Sequence, residues 1–244
     1  MRFPTPYIID MYNRILIKLS GEALGLDGRL FDFAQFDSVA RSIKQVADMG
    51  VQIAVVIGAG NIWRGRSGAA ANVDAVIADQ MGMTATLINT LLMQDALTRA
   101  GVRVKTLTAF DIPRFADPYT QRGALAALAD GCALLLAGGT GHPFFSTDTG
   151  AALRAIELSV DAILLAKNVD GVYDRDPNLD ASAKFLPDLT YDDVLRMNLR
   201  VMDTAAIILC KENGVPVLRV FGLKNAQSIV KAARGESFGS VVHA

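Results

Sequence analysis

Three glycine-rich turns in this sequence carry residues suited to holding phosphate groups. They lie at Lys18–Gly21, Gly58–Arg64 and Gly138–Asp148. Glycine and other small residues let backbone N–H groups approach an anion closely. Lysine adds a point charge, and arginine adds a planar group that binds two phosphate oxygens together. Because each turn follows an apolar run typical of a buried strand, we expect the turns to meet beyond the carboxyl ends of parallel strands.

Each turn taken alone also has an ordinary structural interpretation. Lys18 resembles an exposed lysine at a strand end, and the second turn resembles a tight structural turn. A helix beginning at the second turn would add a positive N-terminal end. Asp148 suits the N-cap of the helix that follows it. Phe144 and Phe145 could wall a nucleobase. The convergence of three such turns, rather than any one of them, favours a nucleotide phosphotransferase.

The bulk composition excludes several other classes of protein. Apolar residues make up 51% of the 244 residues, enough for a large core, and the net charge of −1 offers no field for nucleic acid or an anionic membrane. The segment GAGNIWRG lacks the third glycine of a dinucleotide fingerprint, and the sequence has no GKS or GKT of a Walker A loop. Cys132 and Cys210 lie in apolar runs, so we expect buried reduced thiols rather than a disulfide or zinc site.

Targeting signals are also missing from the sequence pattern. The first ten residues, MRFPTPYIID, lack the apolar run of a signal peptide. No apolar stretch reaches the ~18 residues that a membrane-spanning helix requires. These observations predict a cytoplasmic protein that needs neither a membrane nor nucleic acid.

Short apolar runs alternate with segments of helical periodicity along the chain. Strands are predicted at 15–19, 51–57, 102–107, 132–137, 162–166 and 217–221, with a last edge strand at 241–242. Helices are predicted at 33–49, 74–99, 117–130, 148–159, 191–197, 204–213 and 225–233. Apolar strands separated by helices predict an α/β fold, a three-layer αβα sandwich with a largely parallel central sheet.

Two helix starts and one irregular segment follow from local motifs. Asp32 with Gln35 predicts a capping box. Asp117 with Pro118 predicts the opening of a helix, with proline at its first position. The segment Val172–Leu189 is rich in Asp, Pro and Asn, and predicts a long surface loop or lid. We expect a single domain over residues 1–244, with lobes at about 1–150 and 151–244 that share one sheet.

Five segments together form a recognisable set. They are KLSGEAL (Lys18–Leu24), the GAGN turn with Arg64, ADQMGM (Ala78–Met83), GTGHPFFSTD (Gly139–Asp148) and VDGVYDRDP (Val169–Pro177). The set resembles the amino acid kinase superfamily over roughly residues 13–242. The third and fourth segments resemble, more specifically, its bacterial-type uridylate (UMP) kinases. The amino acid kinase-like fold and the following roles are what this resemblance implies.

The resemblance implies reversible transfer of the ATP γ-phosphoryl group to UMP, giving UDP and ADP in pyrimidine nucleotide biosynthesis. Mg²⁺ would arrive on ATP, with few or no direct protein ligands. The catalytic residues implied are Lys18, Arg64 and Asp148. The residues implied to bind ATP are Lys18, Leu19, Ser20, Gly21, Gly60, Arg64, Lys167, Asn168, Tyr173 and Asp176. The residues implied to bind UMP are Ala59, Asp79, Thr140, Gly141, His142, Pro143, Phe144, Phe145, Ser146 and Thr147. A homohexamer and feedback inhibition by UTP are further implications.

The sequence departs from the family pattern in three places. Ala59 stands where relatives usually have glycine, so its backbone must adopt an ordinary conformation. His142 stands where many relatives have asparagine, and its ring can still donate or accept a hydrogen bond. The segment Leu24–Leu30 is shorter than in relatives where this loop is linked to GTP regulation, so the resemblance does not decide whether GTP activates this protein. The contact with ATP aligns with either Lys167 or Asn168.

Two alternative functions remain open on sequence grounds. One is a carboxylate kinase of the same superfamily, against which the aromatic third turn argues, because a carboxylate substrate needs no base wall. The other is a non-catalytic protein that stores or senses nucleotides on the same scaffold. The intact set of Lys18, Arg64 and Asp148 argues against this second alternative.

Overall fold

The computed structural model describes residues 11–25, 29–63 and 72–244. The expectation for the first ten residues and the role given to Arg64 therefore lie outside the described residues. The middle of the Leu24–Leu30 segment also lies outside them.

A nine-stranded sheet forms the centre of the described chain. Its strands in spatial order are β4 (Asp117–Pro118), β3 (Val104–Thr108), β5 (Ala133–Ala137), β2 (Gln52–Ile57), β1 (Arg14–Leu19), β6 (Ala162–Lys167), β10 (Val217–Gly222), β11 (Ser240–His243) and β9 (Asp188–Thr190). Neighbouring strands are parallel except for the antiparallel pair of β10 with β11. The carboxyl ends of the seven strands from β4 to β10 therefore meet at one edge.

Helices cover both faces of this sheet. On one face lie α1 (Phe33–Asp48), α2 (Ala75–Arg99) and α7 (Gln227–Ala233), which share a buried cluster with the sheet. On the other face lie α3 (Gln121–Ala129), α4 (Thr147–Glu157), α5 (Tyr191–Arg196) and α6 (Thr204–Glu212). The three-layer αβα fold with a largely parallel sheet is confirmed.

The central strands are apolar throughout because both of their faces are buried. In β1, Ile15, Ile17 and Leu19 pack with α1, whereas Leu16 packs toward α4 on the opposite side. All four side chains are fully buried. Because β6 pairs directly with β1, strands from both halves of the chain belong to one continuous sheet.

The start of α1 corrects the predicted capping box. The Asp32 carboxylate accepts the backbone N–H groups of Ala34 and Gln35, so Asp32 is the N-cap as predicted. The Gln35 side chain does not return to the backbone of Asp32 but donates to the carbonyl of Leu223. The reciprocal half of the box is therefore wrong, because packing against the chain after β10 offers that amide a partner.

The predicted start of α3 is also wrong. Asp117 and Pro118 pair with the end of β3 as a short strand, and the helix begins at Gln121. The Thr120 hydroxyl caps it by accepting the N–H of Gly123. Proline has no N–H to donate, and a strand at the edge of a sheet tolerates that loss.

Three smaller expectations can be compared with the structure. The segment Val172–Leu189 is not wholly irregular, because β7 (Val172–Tyr173) pairs with β8 (Phe185–Leu186) in a small separate hairpin. The strand predicted at 241–242 is β11, and it lies inside the sheet edge because β9 pairs outside it. Both cysteines are free, but burial is confirmed only for Cys210, and this burial raises the pKa of its thiol to about 12. Cys132 is half-buried.

None of the helices in the described part of the chain has both the length and the apolar character that a membrane span requires.

Candidate active site

Parts of all three glycine-rich turns meet at the carboxyl edge of the sheet. They surround a cavity of about 250 Å³. The residues that line it are Lys18, Ser20, Gly21, Gly58, Ala59, Gly60, Ser146, Thr147 and Asp148. The convergence predicted from the strand ends is thus present in the structure, and the cavity is polar, open and edged by backbone.

Lys18 and Asp148 form an ion pair in this cavity. Lys18 Nζ lies 2.7 Å from Asp148 Oδ1, and the two side chains are only 11% and 20% exposed. Among the described residues, Asp148 Oδ1 accepts no hydrogen bond, so its contact with Lys18 is an ion pair only. The lysine is therefore not the exposed strand-end residue of the alternative interpretation, because its side chain is mostly shielded from solvent at the wall of the cavity.

The first two turns touch through their backbones. The N–H of Gly58 donates to the carbonyl of Leu19 at 2.9 Å, which continues the pairing of β1 with β2. A Cβ atom added at Gly21 would lie within 2.5 Å of Asn61 Oδ1 and closer still to the carbonyl oxygen of Gly58. Only glycine permits this approach. Gly21 then begins a single turn of 3₁₀ helix, Gly21–Leu24, whose N-terminal end faces the cavity.

The second turn does not begin a helix within the described residues. The N–H groups of Ile62 and Trp63 both donate to the carbonyl of Ala59, which closes one turn. Over residues 58–63 the second turn therefore adds no helix N-terminus to the site. Ala59 has an ordinary backbone conformation, as predicted, since its φ is not in the positive region.

The positive end of α4 supplies the third side of the cavity. Ser146, rather than Asp148, caps this helix, since its hydroxyl oxygen accepts the N–H groups of Asp148 and Thr149 at 2.9 and 3.1 Å. The N-cap interpretation of Asp148 is thus wrong. Asp148 lies inside the first turn, where its side chain is free to face Lys18. An anion in the cavity would meet the N-terminal end of α4 directly.

Asp203 holds this cap from the opposite helix. Its carboxylate accepts the hydroxyl of Ser146 and, at 3.0 Å, that of Thr149. The same carboxylate caps α6 by accepting the N–H of Ala206 at 2.9 Å. One side chain therefore fixes the starts of both α4 and α6, and through Ser146 it fixes the backbone that carries Asp148.

The glycines of the third turn adopt backbone conformations that other residues avoid. Gly138 and Gly141 have φ of 80° and 81°, and a Cβ atom added at Gly138 would lie only 2.8 Å from the ring of Phe110. The Gly138 N–H donates to the hydroxyl of Thr86 on α2 at 2.9 Å. These contacts direct the chain away from β5 and across the top of the sheet.

Asp79 contacts the aromatic part of this turn. Its Oδ2 atom accepts the N–H of Phe144 at 2.6 Å, and Phe144 has an unusual positive φ of 70°. The Thr140 hydroxyl bonds to the backbone of His142 and shapes the residues before Pro143. The rings of Phe144 and Phe145 are exposed. Asp79 and the residues of the turn from Thr140 to Phe145 thus form one unit beside the 250 Å³ cavity, rather than in its lining.

Lys167 lies next to the ion pair, at the carboxyl end of β6. Its ammonium donates to the carbonyls of Arg200 and Val201. Burial lowers the pKa of Lys167; the charge of Asp148 opposes that effect and the charge of Lys18 adds to it. Asn168, the other candidate for the ATP contact, is exposed. Between the two, Lys167 is the residue whose charge interacts with Lys18 and Asp148, although neither Lys167 nor Asn168 lines the cavity.

The two remaining predicted residues lie on the hairpin beyond β6. Tyr173 belongs to β7, and its ring packs edge-on against Phe185 with ring centroids 5.4 Å apart. Asp176 accepts the backbone and side-chain N–H groups of Asn178 in a tight exposed loop. Neither residue lines the 250 Å³ cavity.

Three residues that build the site are absent from the sequence-based set. They are Thr86, Asn89 and Asp203, which bond to the third turn, the second turn and the cap of α4. For Asp203 a usable signal existed, because an aspartate directly before a helical segment is a common N-cap. For Thr86 and Asn89 the signal is weaker: they are polar residues at positions of an apolar helix that turn out to be buried.

The chain matches known proteins over most of its length. Residues 13–220 match the model of the amino acid kinase family. A solved structure described as UMP kinase from Bacillus anthracis is 36% identical, with a TM-score of 0.90 and 96% of each chain covered. UMP kinase from Ureaplasma parvum is 34% identical, with a TM-score of 0.88 over 95% of this chain and 99% of that one. Uridylate kinase from Archaeoglobus fulgidus is 25% identical, with a TM-score of 0.71 over 93% and 99%.

The double cap made by Asp203 predicts a measurable stability difference. Asp203→Ala removes the acceptor for two hydroxyls and one N–H, so the free energy of unfolding should fall by about 1–3 kcal/mol. The matched control is Asp192→Ala on α5, whose exposed carboxylate pairs with Lys211 and should contribute at most about 1 kcal/mol. Urea unfolding followed by circular dichroism measures both. Equal losses in the two variants would show that the cap does not stabilise this edge.

Proposed function

The chain belongs to the amino acid kinase family, and we propose that within it the protein transfers the γ-phosphoryl group of ATP to UMP, giving UDP and ADP. The observation that carries the proposal is the cavity in which the Lys18–Asp148 pair meets two backbone turns and the start of α4. Beside it stands the aromatic third turn with Asp79. The two solved UMP kinases that are at least 34% identical over nearly the whole chain support the choice of acceptor.

The cavity suits the phosphates of two nucleotides. Gly21 and Gly60 present backbone at its walls, and α4 presents its N-terminal end. Lys18 supplies the positive charge that follows the transferring phosphoryl group, and Asp148 holds the lysine in place at 2.7 Å. We assign the phosphates of ATP to Lys18, Leu19, Ser20, Gly21 and Gly60. Arg64, which lies outside the described residues, keeps its proposed role as the bidentate phosphate ligand.

The two nucleosides would extend from the cavity in opposite directions. We place the acceptor on the N-terminal lobe, about residues 1–150, and ATP on the C-terminal lobe, about 151–244. Asp79 would bind the ribose of UMP through the carboxylate oxygen that Phe144 leaves available. The turn from Thr140 to Thr147 would read uracil. Lys167 and Asn168, with Tyr173 and Asp176 on the hairpin, would hold the adenosine end of ATP.

The reaction needs positioning more than proton transfer. The attacking oxygen belongs to the phosphate of UMP and is already anionic near neutral pH, so no general base is required. Phosphoryl transfer passes through a loose transition state in which charge spreads over the equatorial oxygens. A lysine held in a partly buried cavity stabilises that charge more strongly than one in water. The O–P bond to ADP breaks as the bond to the UMP oxygen forms.

The donor set of the cavity fits Mg²⁺ carried by ATP. Within residues 11–25, 29–63 and 72–244, no three His, Cys, Asp or Glu side chains cluster as a dedicated metal cage. Mg²⁺ commonly keeps several waters and takes substrate phosphates with one or two carboxylates. Asp148 is a carboxylate of the cavity and could hold such a water. When bound, the ion would withdraw charge from the phosphate oxygens.

The cellular setting follows from the same proposal. A chain that makes UDP would act in the cytoplasm, in the biosynthesis of UTP and CTP. ATP and UMP are its small-molecule partners, and nothing in the reaction calls for nucleic acid or a membrane. A homohexamer and inhibition by UTP belong to the proposal through the family resemblance.

The role of Lys18 predicts a large kinetic effect. Lys18→Ala removes the cation of the cavity, so kcat should fall by ~10²–10³ or more, the scale of losing one preorganised donor. The control is Lys44→Ala on α1, whose lysine forms an exposed ion pair with Asp48 and should leave kcat unchanged. ADP release coupled to NADH oxidation measures both variants. A near-normal kcat in Lys18→Ala would remove the lysine from the mechanism.

A panel of acceptors tests the proposed substrate. UMP should give the highest kcat/KM, CMP should be poorer because the third turn reads the base, and dUMP should be poorer because Asp79 loses a ribose hydroxyl. Aspartate and acetylglutamate should give no ADP release. Turnover of either carboxylate would favour the carboxylate kinase, and ATP binding without any UDP would favour the non-catalytic protein.

Adding GTP to the same assay should leave the rate unchanged, given the short Leu24–Leu30 segment.

A further inference from the structure

One fully buried amide lies in the middle of α2. The side chain of Asn89 is 0% exposed, and its neighbours along the helix on that side are apolar or small. Asn89 Nδ2 donates to the carbonyl of Gly58 and to Asn61 Oδ1, both at 2.8 Å. Asn89 Oδ1 accepts from Asn61 Nδ2 at 3.1 Å. All the polar atoms of this side chain are therefore used, and every partner belongs to the second turn.

The partner amide extends the connection to a third segment. Asn61 Nδ2 also donates to the carbonyl of Leu30 at 2.7 Å, so this one side chain is bonded to α2 and to the chain before α1. The two asparagines form a reciprocal amide pair. Because a buried amide that loses its hydrogen-bond partners is strongly destabilising, this arrangement has few alternatives of similar energy.

The first turn rests on the atoms that this pair holds. Gly21 is so close to the Gly58 carbonyl and to Asn61 Oδ1 that no Cβ would fit between them. The same two oxygens accept the hydrogen bonds that Asn89 Nδ2 donates. A shift of the Asn89 amide would therefore move the second turn and release the surface against which the first turn packs.

We propose that Asn89 is a positioning residue, which sets the separation of the first two turns and thereby the geometry of the bound phosphates. The inference rests on the proposed function, since it is the phosphates of ATP that the turns would hold. Asn89 itself does not line the cavity. Misplacement of reacting groups by about 1 Å can cost on the order of 10² in rate, so a side chain one layer below the cavity can still control turnover.

Asn89→Leu tests the proposal by replacing the amide with an apolar group of similar size. We expect kcat to fall by at least about tenfold and KM for ATP to rise by about tenfold, while KM for UMP changes by less than about threefold. The matched control is Thr90→Val, which removes a fully buried hydroxyl from the next position of α2, where it donates to the carbonyl of Thr86 within the same helix. Kinetics are measured at a temperature where both variants are folded, as shown by circular dichroism.

A second variant covers the case in which Asn89→Leu does not fold. Asn89→Asp keeps the shape of the side chain, but when ionised it places carboxylate oxygens against the Gly58 carbonyl and Asn61 Oδ1. Burial raises the pKa of a carboxyl group, and its neutral form regains one O–H donor. The kcat of Asn89→Asp relative to wild type should therefore rise as the pH falls from about 8.5 to about 6.

The outcomes separate this inference from the function on which it rests. Wild type and Thr90→Val that form UDP normally, together with Asn89 variants that lose kcat and ATP affinity, would support the positioning role. Asn89 variants that are less stable but turn over normally, with a flat pH ratio for Asn89→Asp, would overturn it and leave the proposed function intact. A wild-type chain that forms no UDP would overturn the proposed function, and this inference with it.

Discussion

The ion pair between Lys18 and Asp148 is the interaction on which the rest of the site depends. Two opposite charges, each mostly shielded from water, lie 2.7 Å apart at the edge of the sheet. Such a pair is costly to desolvate, and losing one partner leaves an uncompensated charge. Regular secondary structure on both sides holds the two charges together. The pairing of β1 with β2 and β6 fixes Lys18 near the carboxyl end of its strand, and the cap of α4 fixes Asp148 in the first turn of its helix.

Helix α2 connects the second and third glycine-rich turns to one another. Asp79, Thr86 and Asn89 occur at spacings of seven and three, so they lie along one side of the helix. Asp79 bonds to Phe144, Thr86 bonds to Gly138, and Asn89 bonds to the second turn. A single rigid element thus sets the distance between the phosphate cavity and the aromatic turn. The acceptor and the transferring phosphoryl group are proposed to meet between these two places. Helix α2 would therefore set their separation.

The sequence predicted what depends on periodicity and on strand ends. Strands buried on both faces are apolar throughout, which made β1 and β6 recognisable, and the topology rule for parallel sheets brought the turn at Lys18 toward the turn ending at Asp148. What the sequence could not indicate are contacts between distant segments. The cap of α4 is Ser146 and not Asp148, because the Ser146 hydroxyl is held by a hydrogen bond to the carboxylate of Asp203, 57 residues away. Asn89 is buried because Gly58, 31 residues away, offers a carbonyl. Pro118 lies in a strand because the end of β3 is beside it.

Both nucleotides are proposed to bind with their phosphates in the one cavity at Lys18 and Asp148. Calorimetry with a bisubstrate analogue, in which an oligophosphate joins adenosine to uridine, tests it most directly. Because the second nucleoside binds at a high effective concentration, the analogue should bind once per chain and at least about 10²-fold more tightly than ATP. It should also prevent the binding of both ATP and UMP. An analogue that binds no more tightly than ATP and leaves UMP binding unchanged would show that the two nucleotides do not share this cavity.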